Sequence, residues 1–263
     1  MRFSFNITDN IEFYDGKFLM IAGPCAVESE EQIVKTAKFL SNLGVRVLRG
    51  GAYKPRTSPD SFQGLGKEGL RLLKIAREET GMAIATELMD TDDLSVLMEA
   101  SDIIQIGSRN SQNFSLLRKV GRTKVPVLLK RGFGNTLDEL INASKYITKE
   151  GNNKVILAER GIRTFEQSTR FTLEISAVPV LQERTDLPVI VDPSHPAGIS
   201  RYVSPLAKAG LAVGADGLII EVHPNPVEAL SDSQQQLDFA QFSALNDDLT
   251  NMLPSCRKDP RDR

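Results

Sequence analysis

Reactive side chains recur at one place in a repeating pattern, the end of a short apolar run. The runs are FLMIAGPC (18–25), VRVLRGG (45–51), MAIATE (82–87), DIIQIGSR (102–109), VPVLLKR (125–131), KVILAER (154–160), LPVIVDPSH (187–195) and GLIIEVH (217–223). At their ends stand Cys25, Arg49, Glu87, Arg109, Lys130, Arg160, His195 and Glu221. A thiol, an imidazole and carboxylates can bind a divalent metal ion or move protons. Guanidinium and ammonium groups bind phosphates and carboxylates, arginine bidentately. The residue types therefore point to chemistry on small anionic substrates, at a site assembled from distant parts of the chain.

Such a site needs elements that converge. The runs are continuous rather than alternating, as in strands buried on both faces. Amphipathic stretches with helical spacing lie between them: 29–44, 67–81, 91–100, 110–121, 135–151, 166–185, 200–215 and 234–253. Several start at Ser, Thr, Asp or Asn and stop at Gly. Eight strand–helix units predict an α/β fold, the (β/α)8 TIM barrel, whose active site sits at the carboxyl ends of the strands. An open doubly wound sheet is the alternative architecture. Residues 1–16 read as a short hairpin capping the barrel's amino-terminal mouth, with Asp15-Gly16 as the turn. Residues 17–253 form the barrel, and 254–263 a polar tail that should fray.

Closing the barrel brings the first run beside the eighth. Cys25, His195 and Glu221 then converge from three successive strands, with Asp232 in the following loop. This set reads as a site for one divalent ion, and its mixed soft and hard donors leave Mn²⁺, Fe²⁺, Zn²⁺ and Co²⁺ open. Taken alone, Cys25 reads more readily as a small buried apolar residue. His195 and His223 are the sequence's two histidines, and the pattern does not choose between them as the ligand. Arg49, Lys54, Arg56, Arg109, Lys130, Arg131, Arg160 and Arg163 all fall at or just past strand ends. Any one of them is ordinarily a solvated charge, but eight at one edge make a mouth that attracts phosphates or carboxylates. The loop 50–66, GGAYKPRTSPDSFQGLG, has the makings of a rigid phosphate clamp without the spacing of a Walker loop. Glu87 can hold a water, tune Lys130 or simply be solvated.

The bulk composition excludes other classes. The chain has 263 residues, 41% of them hydrophobic, and a net charge of −2. That length suits one large domain with a full core. No basic field argues for nucleic acid. Two cysteines cannot build a disulfide framework and fit a reducing compartment. No signal sequence or membrane-length apolar run is visible, so the cytoplasm is the expected location.

Seven segments together carry a resemblance: IAGPCAVES, RGGAYKPRTSPDSFQGLG, GSRNSQNF, VLLKRG, ERGIRTFE, VDPSHPAG and EVHPNPVEALSD. The chain resembles the 3-deoxy-D-arabino-heptulosonate 7-phosphate synthases, type I-beta branch, from about residue 17 to 250. The KPRTS loop separates this family from the 3-deoxy-D-manno-octulosonate 8-phosphate synthases, which usually carry a KANRSS-like stretch there. The resemblance implies condensation of phosphoenolpyruvate with erythrose 4-phosphate and water, releasing phosphate, at the head of the shikimate pathway. It implies Cys25, His195, Glu221 and Asp232 as metal ligands, which favours His195 over His223. It implies Arg49, Lys54, Arg109, Lys130 and Arg160 as phosphoenolpyruvate contacts, and Lys54, Arg56 and Thr57 as the erythrose 4-phosphate site. Glu87 matches a residue associated with the reacting water, and Lys130 and Glu87 are the candidates for proton transfer. Relatives assemble as dimers or tetramers, so a homodimer or homotetramer is expected.

Some departures stand out. Many relatives carry an added regulatory domain; here only some seventeen residues precede the first run, so feedback by aromatic amino acids is not expected. Ser233 follows Asp232 where relatives often have Gly, and Ala158 stands where many have Cys. Competing readings are an octulosonate synthase using arabinose 5-phosphate, a metal-dependent phosphoester hydrolase, and an inactive barrel used for binding. Arg56-Thr57 argues against the first, the scarcity of histidine against the second, and the intact ligand set against the third.

Overall fold

The apolar runs become strands because none has a face that tolerates water. The computed structural model describes residues 1–56 and 58–256; Thr57 and the tail from 257 lie outside the described residues. A hairpin of β1 (Ser4–Thr8) and β2 (Ile11–Tyr14) comes first. Then β3 (Leu19–Gly23), β4 (Val47–Arg49), β5 (Ala83–Glu87), β6 (Ile103–Ile106), β7 (Val127–Lys130), β8 (Val155–Glu159), β9 (Val189–Val191) and β10 (Gly217–Glu221) run parallel and close on themselves, β10 beside β3. The helices are α1 (Glu30–Asn42), α2 (Lys67–Thr80), α3 (Leu94–Ala100), α4 (Phe114–Gly121), α5 (Leu137–Thr148), α6 (Ala177–Arg184), α7 (Ser194–Ala197), α8 (Ser200–Ala212) and α9 (Phe239–Cys256). The fold is the expected (β/α)8 barrel with an N-terminal hairpin. Local signals place the helices: Ser29 accepts from Gln32 N to start α1, and Thr136 and Glu139 form a reciprocal capping box on α5.

Alternation along each strand sorts two cores. Ile21, Val47, Ala83, Ala85, Ile103, Leu128, Ile156, Ala158, Ile190 and Ile219 face the barrel axis. Their neighbours, among them Ala22, Leu48, Ile84, Ile104, Leu129, Leu157, Val191 and Ile220, pack under the helices. Phe3, Ile7, Ile11 and Phe13 join the inner core and fill it from the amino end, with Phe3 and Phe13 rings 4.9 Å apart. Arg2 staples the hairpin to the barrel through Asp216 Oδ1 at 2.6 Å and Asp15 Oδ1 at 2.9 Å.

Three expectations need correcting. The hairpin turns at Asp9-Asn10, between Ile7 and Ile11, not at Asp15-Gly16, which redirects the chain into β3. Apolar alternation on both sides of Asp9-Asn10 outweighs the stronger turn dipeptide. The helix expected over 166–185 forms only from Ala177. Before it, Glu166 accepts from Gln167 N, Ser168 N and Ser168 Oγ, and Ile162 bridges Thr172. These bonds hold 162–172 as a loop folded over the strand ends. The C-terminal helix runs to Cys256, so Pro254 to Cys256, assigned to the tail, are helical.

Candidate active site

Inward alternation continues past the apolar core into charge. Two positions beyond the last inward apolar residue of its strand stand Arg49, Glu87, Gln105, Lys130, Arg160, Asp192 and Glu221, all buried. Of these, Arg49, Glu87, Gln105, Lys130 and Arg160 line a cavity of about 470 Å³, together with Lys54, Arg56, Arg109, Arg163, Arg170, His195 and Asp232. Gly23 makes the approach of β3 to β4 possible: at φ +150°, a Cβ there would lie 2.0 Å from the Arg49 carbonyl oxygen.

Metal-donor chemistry gathers at one side. Ligand atoms of Cys25, Glu221 and Asp232 lie within 4.8 Å of one another. His195 joins from α7, its Nε2 3.6 Å from Glu221 Oε1 and its Nδ1 2.7 Å from Asp192 Oδ2. A carboxylate behind one ring nitrogen orients the other toward a metal. Burial holds His195 below its usual range, outweighing Asp192, which favours the neutral ring a metal requires. Burial and the Glu221 charge push the Cys25 thiol up to about 12, against the opposing Lys54 cation. Glu221 is held low: burial alone would raise it, but His195, Arg49 and Lys54 prevail. Gln235 Nε2 donates to Glu221 Oε2 at 2.6 Å, and Gln236 Oε1 accepts from Cys25 N at 3.0 Å. Asp232 is the one non-glycine with positive φ, 49°, among the described residues. The left-handed turn thus falls on Asp232 itself, and Ser233 needs no glycine. His223 points elsewhere, its Nε2 3.3 Å from Glu28 Oε2 and its Nδ1 accepting from Asn225 N.

The cations divide by strand parity. Lys130 faces inward and donates to Asp192 Oδ2 at 2.6 Å; burial, with the charges of Arg49 and Arg160, lowers it despite that partner. Its neighbour Arg131, expected at the mouth, faces outward. There it pairs with Glu159 at 2.9 Å and Glu174 at 2.6 Å, because consecutive strand residues point to opposite faces. Arg49 Nη1 meets Glu221 Oε1 at 2.6 Å. Lys54 Nζ lies 2.9 Å from Cys25 Sγ, and Arg56 Nη1 2.8 Å from Ser231 Oγ. Arg160 is buried, and its Nε and Nη1 have no hydrogen-bond partner among the described residues. Burial lowers it to about 10. Glu87 Oε2 accepts from Gln105 Nε2 at 3.1 Å, and Glu87 lies against Gly107, where a Cβ would fall 1.9 Å from Oε1.

Four residues of this site went unread in the sequence. Asp192 links Lys130 to His195; its place three residues before His195 was the available signal. Gln105 interrupts the apolar run DIIQI at an inward position, a second signal. Gln235 and Arg170 carried none, since both lie in stretches with helical spacing. Arg170 reaches Gln235 Oε1 at 2.8 Å and Asp232 Oδ1 at 3.3 Å.

The sequence matches the DAHP synthetase I family over residues 5–255. The chain belongs to this family. It is 56% identical over 236 residues to a phospho-2-dehydro-3-deoxyheptonate aldolase of Thermotoga maritima, covering 90% of this chain and 70% of that protein. The crystal structure of phospho-2-dehydro-3-deoxyheptonate aldolase (DAHP synthase) from Thermotoga maritima matches with a TM-score of 0.93 at 51% identity, over 96% of this chain and 73% of that one. A 2-dehydro-3-deoxyphosphooctonate aldolase of Campylobacter jejuni subsp. doylei is 32% identical over 255 residues, covering 86% of this chain and 94% of that protein. Among the described residues of this DAHP synthetase I chain, no helix is long and apolar enough to cross a membrane.

Proposed function

We propose that this chain is a 3-deoxy-7-phosphoheptulonate synthase, joining phosphoenolpyruvate, erythrose 4-phosphate and water to give 3-deoxy-D-arabino-heptulosonate 7-phosphate and phosphate. The observation that carries the reading is the three-donor cluster of Cys25, Glu221 and Asp232, with His195 Nε2 3.6 Å from Glu221 Oε1, beside a cation-lined cavity in one barrel mouth. Two phosphorylated substrates, one also a carboxylate, need several fixed cations. Arg49, Lys54, Arg109, Lys130 and Arg160 are assigned to phosphoenolpyruvate, and Arg56, with Lys54 and Thr57, to the aldose phosphate.

Cys25, His195, Glu221 and Asp232 would hold one divalent ion, Mn²⁺, Fe²⁺, Zn²⁺ or Co²⁺. When bound, the ion supplies Lewis acidity to the aldehyde oxygen. The residues of the chain do the rest. Arginine donors fix phosphoenolpyruvate so that its enol carbon faces the aldehyde. Glu87, steadied by Gln105, holds the water that adds to carbon two. Lys130, lowered by burial, is suited to move a proton near that water. Carbon–oxygen cleavage then expels phosphate, whose charge the arginines stabilise. Cytoplasmic location, assembly as a homodimer or homotetramer, and a place at the head of the shikimate pathway belong to the same proposal.

The test incubates the enzyme with Mn²⁺ and phosphoenolpyruvate, adds erythrose 4-phosphate or arabinose 5-phosphate separately, and follows phosphate release. Release with erythrose 4-phosphate is expected. Release with arabinose 5-phosphate alone would transfer the chain to the octulosonate chemistry of its 32% identical relatives.

A further inference from the structure

Two phenyl rings lie under the arginines of this mouth. Phe133, just past β7, and Phe171, in the loop after β8, stack with centroids 5.2 Å apart and planes 5° from parallel. The Arg160 Cζ lies 4.2 Å from the Phe171 centroid and 4.9 Å from that of Phe133. Arg109 and Arg163 lie 5.4 and 5.2 Å from Phe133, and Arg170 5.8 Å from Phe171. All six residues line the cavity. Main-chain bonds fix the stack: Arg163 N donates to Phe133 O at 2.7 Å, and Phe171 N to Pro196 O at 3.2 Å. Gly161 lets Phe171 approach, since a Cβ there would lie 2.9 Å from Phe171 Cβ.

A buried guanidinium among other cations needs a compensating partner. A carboxylate would neutralise it, but would also occupy its in-plane N–H donors. A ring face attracts the cation from above its plane and accepts no in-plane hydrogen bond. Arg160 is consistent with this division: its Cζ lies over both rings, and its Nε and Nη1 have no hydrogen-bond partner among the described residues.

We propose that Phe133 and Phe171 are positioning residues, an aromatic platform that holds Arg160 by its face so that its N–H donors remain available to the anionic ligand. The assignment of that ligand as phosphoenolpyruvate rests on the function proposed above.

The experiment compares Phe133→Leu, Phe171→Leu and Phe133→Tyr with the wild type, all loaded with Mn²⁺. Phosphoenolpyruvate and inorganic phosphate are titrated calorimetrically, and KM for both substrates and Tm are measured. The leucine variants keep an apolar side chain but lose the ring face, so phosphoenolpyruvate Kd and KM should rise about five-fold or more. Erythrose 4-phosphate KM should stay near the wild-type value, and Phe133→Tyr should restore affinity. Phe171→Leu carries the test alone should Phe133→Leu fail to fold. Wild-type affinity in the leucine variants, equal losses in Leu and Tyr, or parallel rises in both KM values with a falling Tm would each overturn the platform. Should wild type take phosphate but not phosphoenolpyruvate, the substrate assignment fails, and the leucine–tyrosine contrast measured on phosphate still decides the platform.

Discussion

The two ends of the barrel bury side chains by opposite rules. At the amino end, Phe3, Ile7, Ile11 and Phe13 continue the inner apolar core until it is full. At the carboxyl end, the same inward positions carry Arg49, Glu87, Gln105, Lys130, Arg160, Asp192 and Glu221. Apolar burial stabilises at roughly 25 cal/mol per Å², whereas each buried charge costs free energy unless paired. One end therefore contributes stability, and the other spends it to keep charges where substrates arrive. The contrast extends to adjacent residues: Lys130 faces the site, and Arg131 closes an ion pair under the helices.

Removing the metal should give the largest effect. Chelation with EDTA should abolish turnover, and adding a divalent metal should restore it; full activity in metal-free protein would separate the donor cluster from function. Because the Cys25 thiol sits up near about 12, it is protonated before a metal binds, and binding releases that proton. Apparent metal affinity should therefore rise with pH between about 6 and 8, as an equilibrium titration at several pH values would reveal. A pH-independent Kd would mean that Cys25 is not a ligand.

Lys130→Met and Arg131→Met should split cleanly. The first should lower kcat by about 10²–10⁴-fold, the range for a lost proton-transfer group. The second should leave both KM values unchanged but destabilise the fold by about 3–5 kcal/mol, the cost of orphaning the buried Glu159 carboxylate. Denaturant melts and steady-state kinetics on both variants read the two halves. At the opposite end, Phe13→Ala should cost about 3–5 kcal/mol and leave the chemistry of the folded enzyme intact. A specific rise in one substrate's KM would show that the ends are coupled. Smallest is Arg56→Ala, which should raise the aldose KM by the loss of one charge-assisted contact, about 1.5–3 kcal/mol, and leave phosphoenolpyruvate KM near its original value.

The strands were legible because eight apolar runs without a polar face leave one plausible layering. Their parity was not. When both faces are buried, both are apolar, and nothing in VLLKR says that Lys130 turns in and Arg131 out. Parity becomes readable only from the inward residues below, such as Leu128. The candidate donor set was legible because thiol, imidazole and carboxylate are rare at strand ends together. The pattern alone did not separate His195 from His223; the family resemblance favours His195, and the structure sets it beside Asp192 and Glu221 while His223 turns to Glu28. Arg170 and Gln235 stayed hidden because local spacing favours helix at both, while the bonds of Arg170 to Asp232 and of Gln235 to Glu221 are tertiary. Asp15-Gly16 misled for the same reason: turn chemistry is local, but strand pairing follows the alternation on both sides.

The claim that the carboxyl end gives up stability for anion binding is tested most directly at Arg160. Wild type and Arg160→Met are compared by thermal denaturation and by titration with phosphoenolpyruvate. Loss of its charge-assisted contacts should weaken binding by about ten-fold or more, while Tm holds or rises because a costly buried charge has gone. Retained affinity with a lowered Tm would contradict the account and make Arg160 a structural residue.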